Sequence, residues 1–236
     1  MCCPNHFDFS AYFPAYYIVM IDLHTHTLFS DGVLLPAELV QRAVAAGYRA
    51  IALTDHMDMS NMDFIIPRLV DASRELAPFT SLSIVPGAEI THVPPRLIGK
   101  LIEKARSLGA RIVVVHGETI AEPVIPGTNR AGIEGGADIL SHPGLISMED
   151  AVLAAEKGVA LEITARKGHS LSNGHVAKTA MAAGAAMVIN TDSHSPEDLI
   201  SRDRAVVILK AAGIPEENID TIFANSQKLV DTVGRN

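Results

Sequence analysis

The chain contains no tryptophan, and aromatic residues make up only 5 % of its 236 positions. Its core must therefore be aliphatic, and a row of rings on which nucleic-acid bases could stack is not available. Cysteine is almost absent too. Cys2 and Cys3 are adjacent at the extreme N-terminus, so they cannot staple a fold, and the chain reads as made for a reducing compartment. No apolar run is long enough to span a bilayer. The first nineteen residues lack the basic stretch and continuous apolar core of a signal peptide, so the expected location is cytoplasmic. Positive charge is also in deficit, with 19 Lys and Arg against 27 Asp and Glu for a net charge of −8. That balance argues against adhesion to nucleic acid or to an anionic membrane. It leaves a small phosphorylated molecule open as a substrate, because bound cations reverse the local field.

What is abundant is short and aliphatic. Hydrophobic residues make up 48 % of the chain and charged residues 19 %, a composition suited to a well-buried core. Strands are expected at Met20–Leu23, Ala50–Leu53, Ser83–Val85, Arg111–Val115, Asp138–Leu140, Ala160–Ile163 and Met187–Ile189. Most are unbroken Ile, Val and Leu runs, as expected of strands covered on both faces. Between them lie amphipathic stretches such as Pro36–Ala46, Asp63–Leu76, Pro95–Leu108 and Met148–Lys157. Pro36 suits a first helical turn, and Gly47, Gly109 and Gly158 follow helices as caps. Alternating strand and helix gives a parallel α/β fold, either an open doubly wound sheet or a closed barrel.

The polar residues favour the barrel. The first strand runs into His24-Thr25-His26, the second into Thr54-Asp55-His56 and the third into Gly87-Ala88-Glu89. The fourth runs into His116-Gly117-Glu118, the fifth into Ser141-His142-Pro143 and the seventh into Thr191-Asp192-Ser193-His194. Side chains two apart on extended backbone point the same way, so His24 can share an ion with His26, and Asp192 with His194. A single strand-end histidine is usually structural. Histidines and carboxylates recurring at the same end of six strands need one mouth to converge on, and a barrel supplies it. Imidazole and carboxylate without thiolate suit zinc, manganese or iron.

With these motifs in place the chain resembles the PHP (polymerase and histidinol phosphatase) family over about Met20 to Val230. The resemblance rests on the His-x-His opening, Thr-Asp-His, the glycine-led Glu89, the single His116 and His142, and the closing Asp-x-His. It implies a distorted barrel of seven β/α units that binds two to three divalent ions (Zn, Mn or Fe). The family's ligand positions fall on His24, His26, Asp31, His56, Glu89, His116, His142, Asp192 and His194. Glu89 is implied as the bridge between an ion held by His24, His26 and Asp192 and an ion held by His116 and His142. A third ion would take Asp31, His56 and His194. Asp31 stands where the family often has histidine, and Ser30-Asp31-Gly32 also reads as a turn.

The implied reaction is hydrolysis of a small phosphomonoester, of which histidinol phosphate is the family's best-known example, by metal-activated water with no side-chain nucleophile. Asp55 and Glu118 stand beside ligands and can orient them. The sixth strand supplies no family ligand, so Arg166 and His169 in its loop are candidate substrate contacts, with Arg130 after the fourth strand as another. Residues 20–236 are expected to form a single barrel acting as a stand-alone hydrolase. Residues 1–19, which carry Phe7, Phe9, Tyr12, Phe13, Tyr16 and Tyr17, are expected to lie outside it. The alternatives are a nuclease or phosphodiesterase of the same family, an amidohydrolase-type barrel and a non-catalytic metal-binding module. The amidohydrolases also open with His-x-His but commonly place a modified lysine where this chain has His116.

Overall fold

The computed structural model describes residues 20–233, and the aromatic segment 1–19 lies outside the described residues. The strands are β1 (Ile21–Asp22), β2 (Ala50–Leu53), β3 (His56–Met57), β4 (Ser83–Ile90), β5 (Ile112–His116), β6 (Ile139–Ser141), β7 (Ala160–Thr164) and β8 (Met187–Asn190). The helices are α1 (Pro36–Ala45), α2 (Met62–Leu76), α3 (Pro95–Ser107), α4 (Thr128–Glu134), α5 (Met148–Lys157), α6 (Asn173–Ala183), α7 (Arg202–Ala211) and α8 (Glu216–Val233).

All the pairings are parallel, in the order β1-β2-β4-β5-β6-β7-β8, with β3 beside β4. β2 and β3 are two pieces of one strand. Leu53 pairs with Pro86 and His56 with Glu89, so the register continues unbroken across Thr54 and Asp55. The two edges of the sheet meet. Thr25 bridges Ser193, the His26 amide donates to the Ser193 carbonyl (2.8 Å), and the Asp192 amide donates to the His24 carbonyl (2.9 Å). The result is a parallel sheet of seven strand positions nearly closed into a barrel, which decides against the open sheet.

Strand alternation divides the core in two. Ile21, Ala50, Ala52, Val85, Ile112, Val114, Ile139, Ala160 and Val188 cluster together, drawn from all seven strand positions, and Leu229, Val230 and Val233 of α8 pack against them. This is the lumen. Their neighbours Ile51, Val113, Val115, Leu140, Leu161 and Ile189 belong instead to the larger cluster shared with the helices. Every second residue along a strand faces the same way. Hence the lumen rows Val85-Gly87-Glu89, Ile112-Val114-His116, Ala160-Glu162-Thr164 and Val188-Asn190-Asp192 begin apolar and end polar at the mouth.

One strand runs longer than the sequence pattern indicates. β4 continues past Val85 through Pro86-Gly87 to Ile90, although that dipeptide ordinarily ends a strand. Gly87 is needed there because a Cβ would sit 2.6 Å from the Ile112 side chain and 2.8 Å from that of Thr54. The extension matters for the site, since it is what delivers Glu89 into the lumen.

Candidate metal centre

Each ligand candidate occupies the C-terminal end of a strand or the loop leaving it. Glu89 is central. Its Oε1 lies 3.1 Å from His24 Nε2 and 3.8 Å from His142 Nε2, and its Oε2 lies 2.6 Å from His56 Nδ1 and 3.9 Å from His26 Nε2. Asp192 faces the same rings from the opposite wall, with Oδ1 3.1 Å from His26 Nε2 and Oδ2 3.6 Å from His142 Nε2. Asp31 reaches in from the loop after β1, with Oδ1 3.1 Å from His194 Nε2 and 3.5 Å from His56 Nε2. Among the described residues five groupings have ligand atoms within 4.8 Å of one another: His24, His26 and Glu89; Glu89, His116 and His142; His26, Asp31, His56 and His194; His24, His142 and Asp192; and, at the outer edge, His92, His116 and Glu122. His26 thus stands between the first and the third.

These residues fit divalent cations. His24 Nε2, both nitrogens of His26, Nδ1 of His116 and of His142, and Asp192 Oδ1 are buried without a hydrogen-bond partner. Leaving one such atom unsatisfied costs about 1–3 kcal/mol, so a concentration of them at one mouth needs a ligand to repay it. Glu89, Asp192, Glu162 and Asp22 are all buried, and grouped buried carboxylates require positive charge beside them. Burial lowers the His26 imidazole to about 4 and takes His142 well below its usual range, so both offer the neutral form that binds metal. Burial pushes Glu89 upward, but His24, His56 and His116 overcome this and hold it well below the usual carboxylate range. Burial likewise opposes ionisation of Asp192, and His24 and His26 outweigh it.

The backbone is strained at the same place. His92 (φ 53°), His142 (φ 28°) and Asp192 (φ 53°) are the non-glycine residues with positive φ among the described residues, and all three line the mouth. Such strain persists only where the surroundings over-determine it, and it concentrates at functional sites.

A second set of side chains holds the cluster. Asp55 accepts from the amide and hydroxyl of Thr27 and of Ser30, which pins the loop carrying His26 and Asp31. Glu118 accepts from the amides of Gly127 and Asn129 and so ties the β5 loop to the start of α4. Asp22 accepts from the amides of His24 and Thr191, joining the two ligand-bearing ends of the sheet. Glu162 is the residue that motif reading missed. Buried in β7, it lies 2.9 Å from His24 Nδ1 and accepts from Asn190 Nδ2 at the same oxygen. The available signal was an acid inside the apolar strand Ala-Leu-Glu-Ile-Thr.

The candidate substrate contacts separate. His169 stacks on His142 with ring centroids 4.2 Å apart, and its Nδ1 meets Thr119 Oγ1 at 2.6 Å. Arg166 crosses to the β8 loop, where Nη1 lies 3.3 Å from Asp198 Oδ2. That same oxygen accepts from the His194 amide (2.9 Å), so Arg166 is one carboxylate away from a ligand candidate. Arg130 lies in the helical layer and pairs with Asp150 of α5 (2.7 Å) and with Glu134, and neither partner belongs to the cluster. Glu122 is an unforeseen hub, 3.0 Å from His92, 3.2 Å from His116 and 3.5 Å from His169.

A nearly closed parallel β/α barrel whose mouth gathers imidazoles and carboxylates defines a barrel protein with a divalent-metal site. The PHP domain sequence model matches residues 22–112. A probable phosphatase of Shewanella sp. strain ANA-3 is 30 % identical over 230 residues, covering 84 % of this chain and 86 % of that protein. An uncharacterized protein of Methanocaldococcus jannaschii is 46 % identical over 209 residues, covering 88 % and 96 % respectively. The fold is shared with the crystal structure of histidinol phosphate phosphatase from Lactococcus lactis, determined with zinc, L-histidinol and phosphate. There the TM-score is 0.59 at 18 % identity, over 83 % of this chain and 94 % of that one. The chain belongs to the PHP domain family.

Proposed function

We propose that the protein is a metal-dependent hydrolase of phosphate esters, and specifically a small-molecule phosphomonoesterase of the histidinol-phosphatase kind. The observation that carries this reading is Glu89, a buried carboxylate with one oxygen toward His24 and His142 and the other toward His26 and His56. A carboxylate so placed can serve two cations at once. In this reading His24, His26 and Asp192 would hold one ion, His116 and His142 a second, and Asp31, His56 and His194 a third. Glu89 groups with the first set and with the second and would be the ligand they share, its Oε1 facing one ring of each. Bound divalent cations supply Lewis acidity toward a phosphoryl oxygen and a water acidified for in-line attack.

The chain's own groups do the rest. Glu162 orients His24 so that Nε2 faces Glu89. Asp55 holds the first ligand loop in place. No serine, cysteine or lysine nucleophile is required. The similarity to a probable phosphatase over most of both chains supports the reaction class, and the zinc-bound L. lactis enzyme, with the same fold, supports the choice of cofactor.

The test is a panel of phosphomonoesters, phosphodiesters and short oligonucleotides, assayed with zinc and with manganese. Monoester turnover with inert oligonucleotides is expected. Preferential cleavage of diesters or oligonucleotides would replace the phosphatase with a nuclease of the same family. Metal binding without turnover of any ester would leave a non-catalytic module.

A further inference from the structure

Glu122 is not one of the positions that the family resemblance marks as a ligand, yet three imidazoles surround its carboxylate. They come from three separate segments: His92 from the loop after β4, His116 from the end of β5, and His169 from the turn that follows β7. The distances are 3.0, 3.2 and 3.5 Å, and Glu122 itself is 40 % exposed. An ordinary surface ion pair joins two side chains. Here three elements converge on one anion, and one of the three residues, His92, holds a left-handed backbone conformation to do so.

The position of this pocket is informative. His116 belongs to the grouping with Glu89 and His142, and His169 stacks on His142. His92 and Glu122 therefore stand at the solvent edge of the metal centre, with the buried rings of His116 and His169 behind them. A carboxylate and a phosphoryl group present similar acceptor oxygens to N–H donors. Glu122 stands on the loop between β5 and α4, so its carboxylate can leave for water without becoming a buried unpaired charge. Its pair with exposed His92 is weak, whereas the rings of His116 and His169 are buried, so an anion must take its place against them. Glu89, wholly buried, has no such freedom.

We propose that His92, His116 and His169 form a seat for the phosphoryl end of the substrate, and that Glu122 fills this seat as a built-in competitor that swings out when the ester enters. The proposal rests on the phosphoesterase reading and adds to it a specificity device. Only an anion able to displace a carboxylate gains the seat, and neutral esters do not.

The test uses the metal-loaded full chain with inorganic phosphate as the probe, titrated calorimetrically, alongside KM and kcat for a chromogenic aryl phosphate. Removing the competing charge in Glu122→Gln and Glu122→Ala should tighten phosphate binding about tenfold, as expected for deleting one like charge next to an anion site. KM should fall in parallel, with metal content unchanged. Adding His92→Ala to Glu122→Gln should abolish the gain, again with full metal content, because His92 lies outside the inner cluster. Phosphate affinity that stays the same or weakens in Glu122→Gln overturns the proposal. So does metal loss in that variant, which would make Glu122 a ligand, or a fall in kcat at constant KM, which would place it in the reaction itself. A wild type that hydrolyses no ester but still shows the tenfold tightening keeps the seat and removes the phosphoesterase reading. A wild type active on esters without the tightening does the reverse.

Discussion

His24 and Glu162 meet inside the barrel, Nδ1 to Oε2 at 2.9 Å, with both side chains wholly buried. The carboxylate fixes which imidazole nitrogen carries the proton and leaves Nε2 to face Glu89 and Asp192. A histidine oriented by a carboxylate in this way is a stronger and better aimed ligand. Glu162→Ala should lower metal affinity about 10- to 100-fold, measured by competition with a chromogenic chelator. Glu162→Gln keeps an acceptor oxygen and should retain most of the affinity. Equal loss in both variants would mean that the negative charge matters rather than the orientation, and full affinity in both would remove Glu162 from the site.

Glu89 and Asp31 should differ in how much they matter. Glu89 touches imidazoles on both sides of the cluster, whereas Asp31 is half exposed and meets only His56 and His194. Glu89→Gln should abolish activity and release more than one ion per chain, because an amide is a poor ligand for either cation. Asp31→Asn should lose at most one ion and keep measurable turnover. Metal analysis with steady-state kinetics decides, and mild, equal defects in both variants would refute the bridge.

Arg166 makes a sharp case because its guanidinium pairs with Asp198, which also receives the His194 amide. If Arg166 turns to the substrate phosphate, Arg166→Ala should cut kcat/KM roughly ten- to a thousandfold with metal content intact. Loss of one ion in that variant would instead make it a brace for the loop of His194. Wild-type kinetics with full metal would leave it a partly buried surface ion pair.

Asp22 carries a pH signature. Burial, only partly offset by hydrogen bonds from Thr191 and His24, raises its carboxyl from 3.8 to about 7. A group whose folded pKa is the higher takes up a proton on folding. Its contribution to stability is full below the unfolded value and is lost as pH rises toward 7. Asp22→Asn should therefore gain stability relative to wild type between pH 4 and pH 7, on the order of a few kcal/mol across that range. Urea unfolding of the two metal-free proteins at several pH values isolates the effect, since the histidines titrate in both. A flat difference between the proteins would show that Asp22 is ionised throughout.

Much of the architecture was legible because it is written locally. Apolar runs such as Ala50–Leu53 and Ile112–Val115 are strands by composition, and Gly47, Gly109 and Gly158 end their helices with positive φ. Most of the candidate ligands could be named for the same reason, since they stand within their strand or just after its end, whereas Asp31 lies nine residues past β1. The far half of β4 was not legible, because Pro86-Gly87 is locally a stop. It is a strand because it pairs with β2 and β3 on one side and with β5 on the other, and it needs glycine at 87 because Thr54 and Ile112 fill the place where a side chain would stand. The pairing of Arg130 with Asp150 of α5 was not legible either, because the two residues lie on different helices.

The sequence by itself determined the succession of β/α units and placed an imidazole or carboxylate at strand end after strand end, because side-chain periodicity and chemistry are properties of neighbours along the chain. Only the tertiary structure decided that the sheet closes, through Thr25 and Ser193. Closure in turn decided that His24 meets Glu162, that His26 stands between two groupings, and that Glu122 gathers three histidines from three segments. His116 lies only six residues before Glu122, but His92 and Glu122 are 30 residues apart and His24 and Glu162 are 138 apart. At such distances a partner is chosen by strand order and by which face turns to the lumen, and neither is encoded in any short stretch of chain.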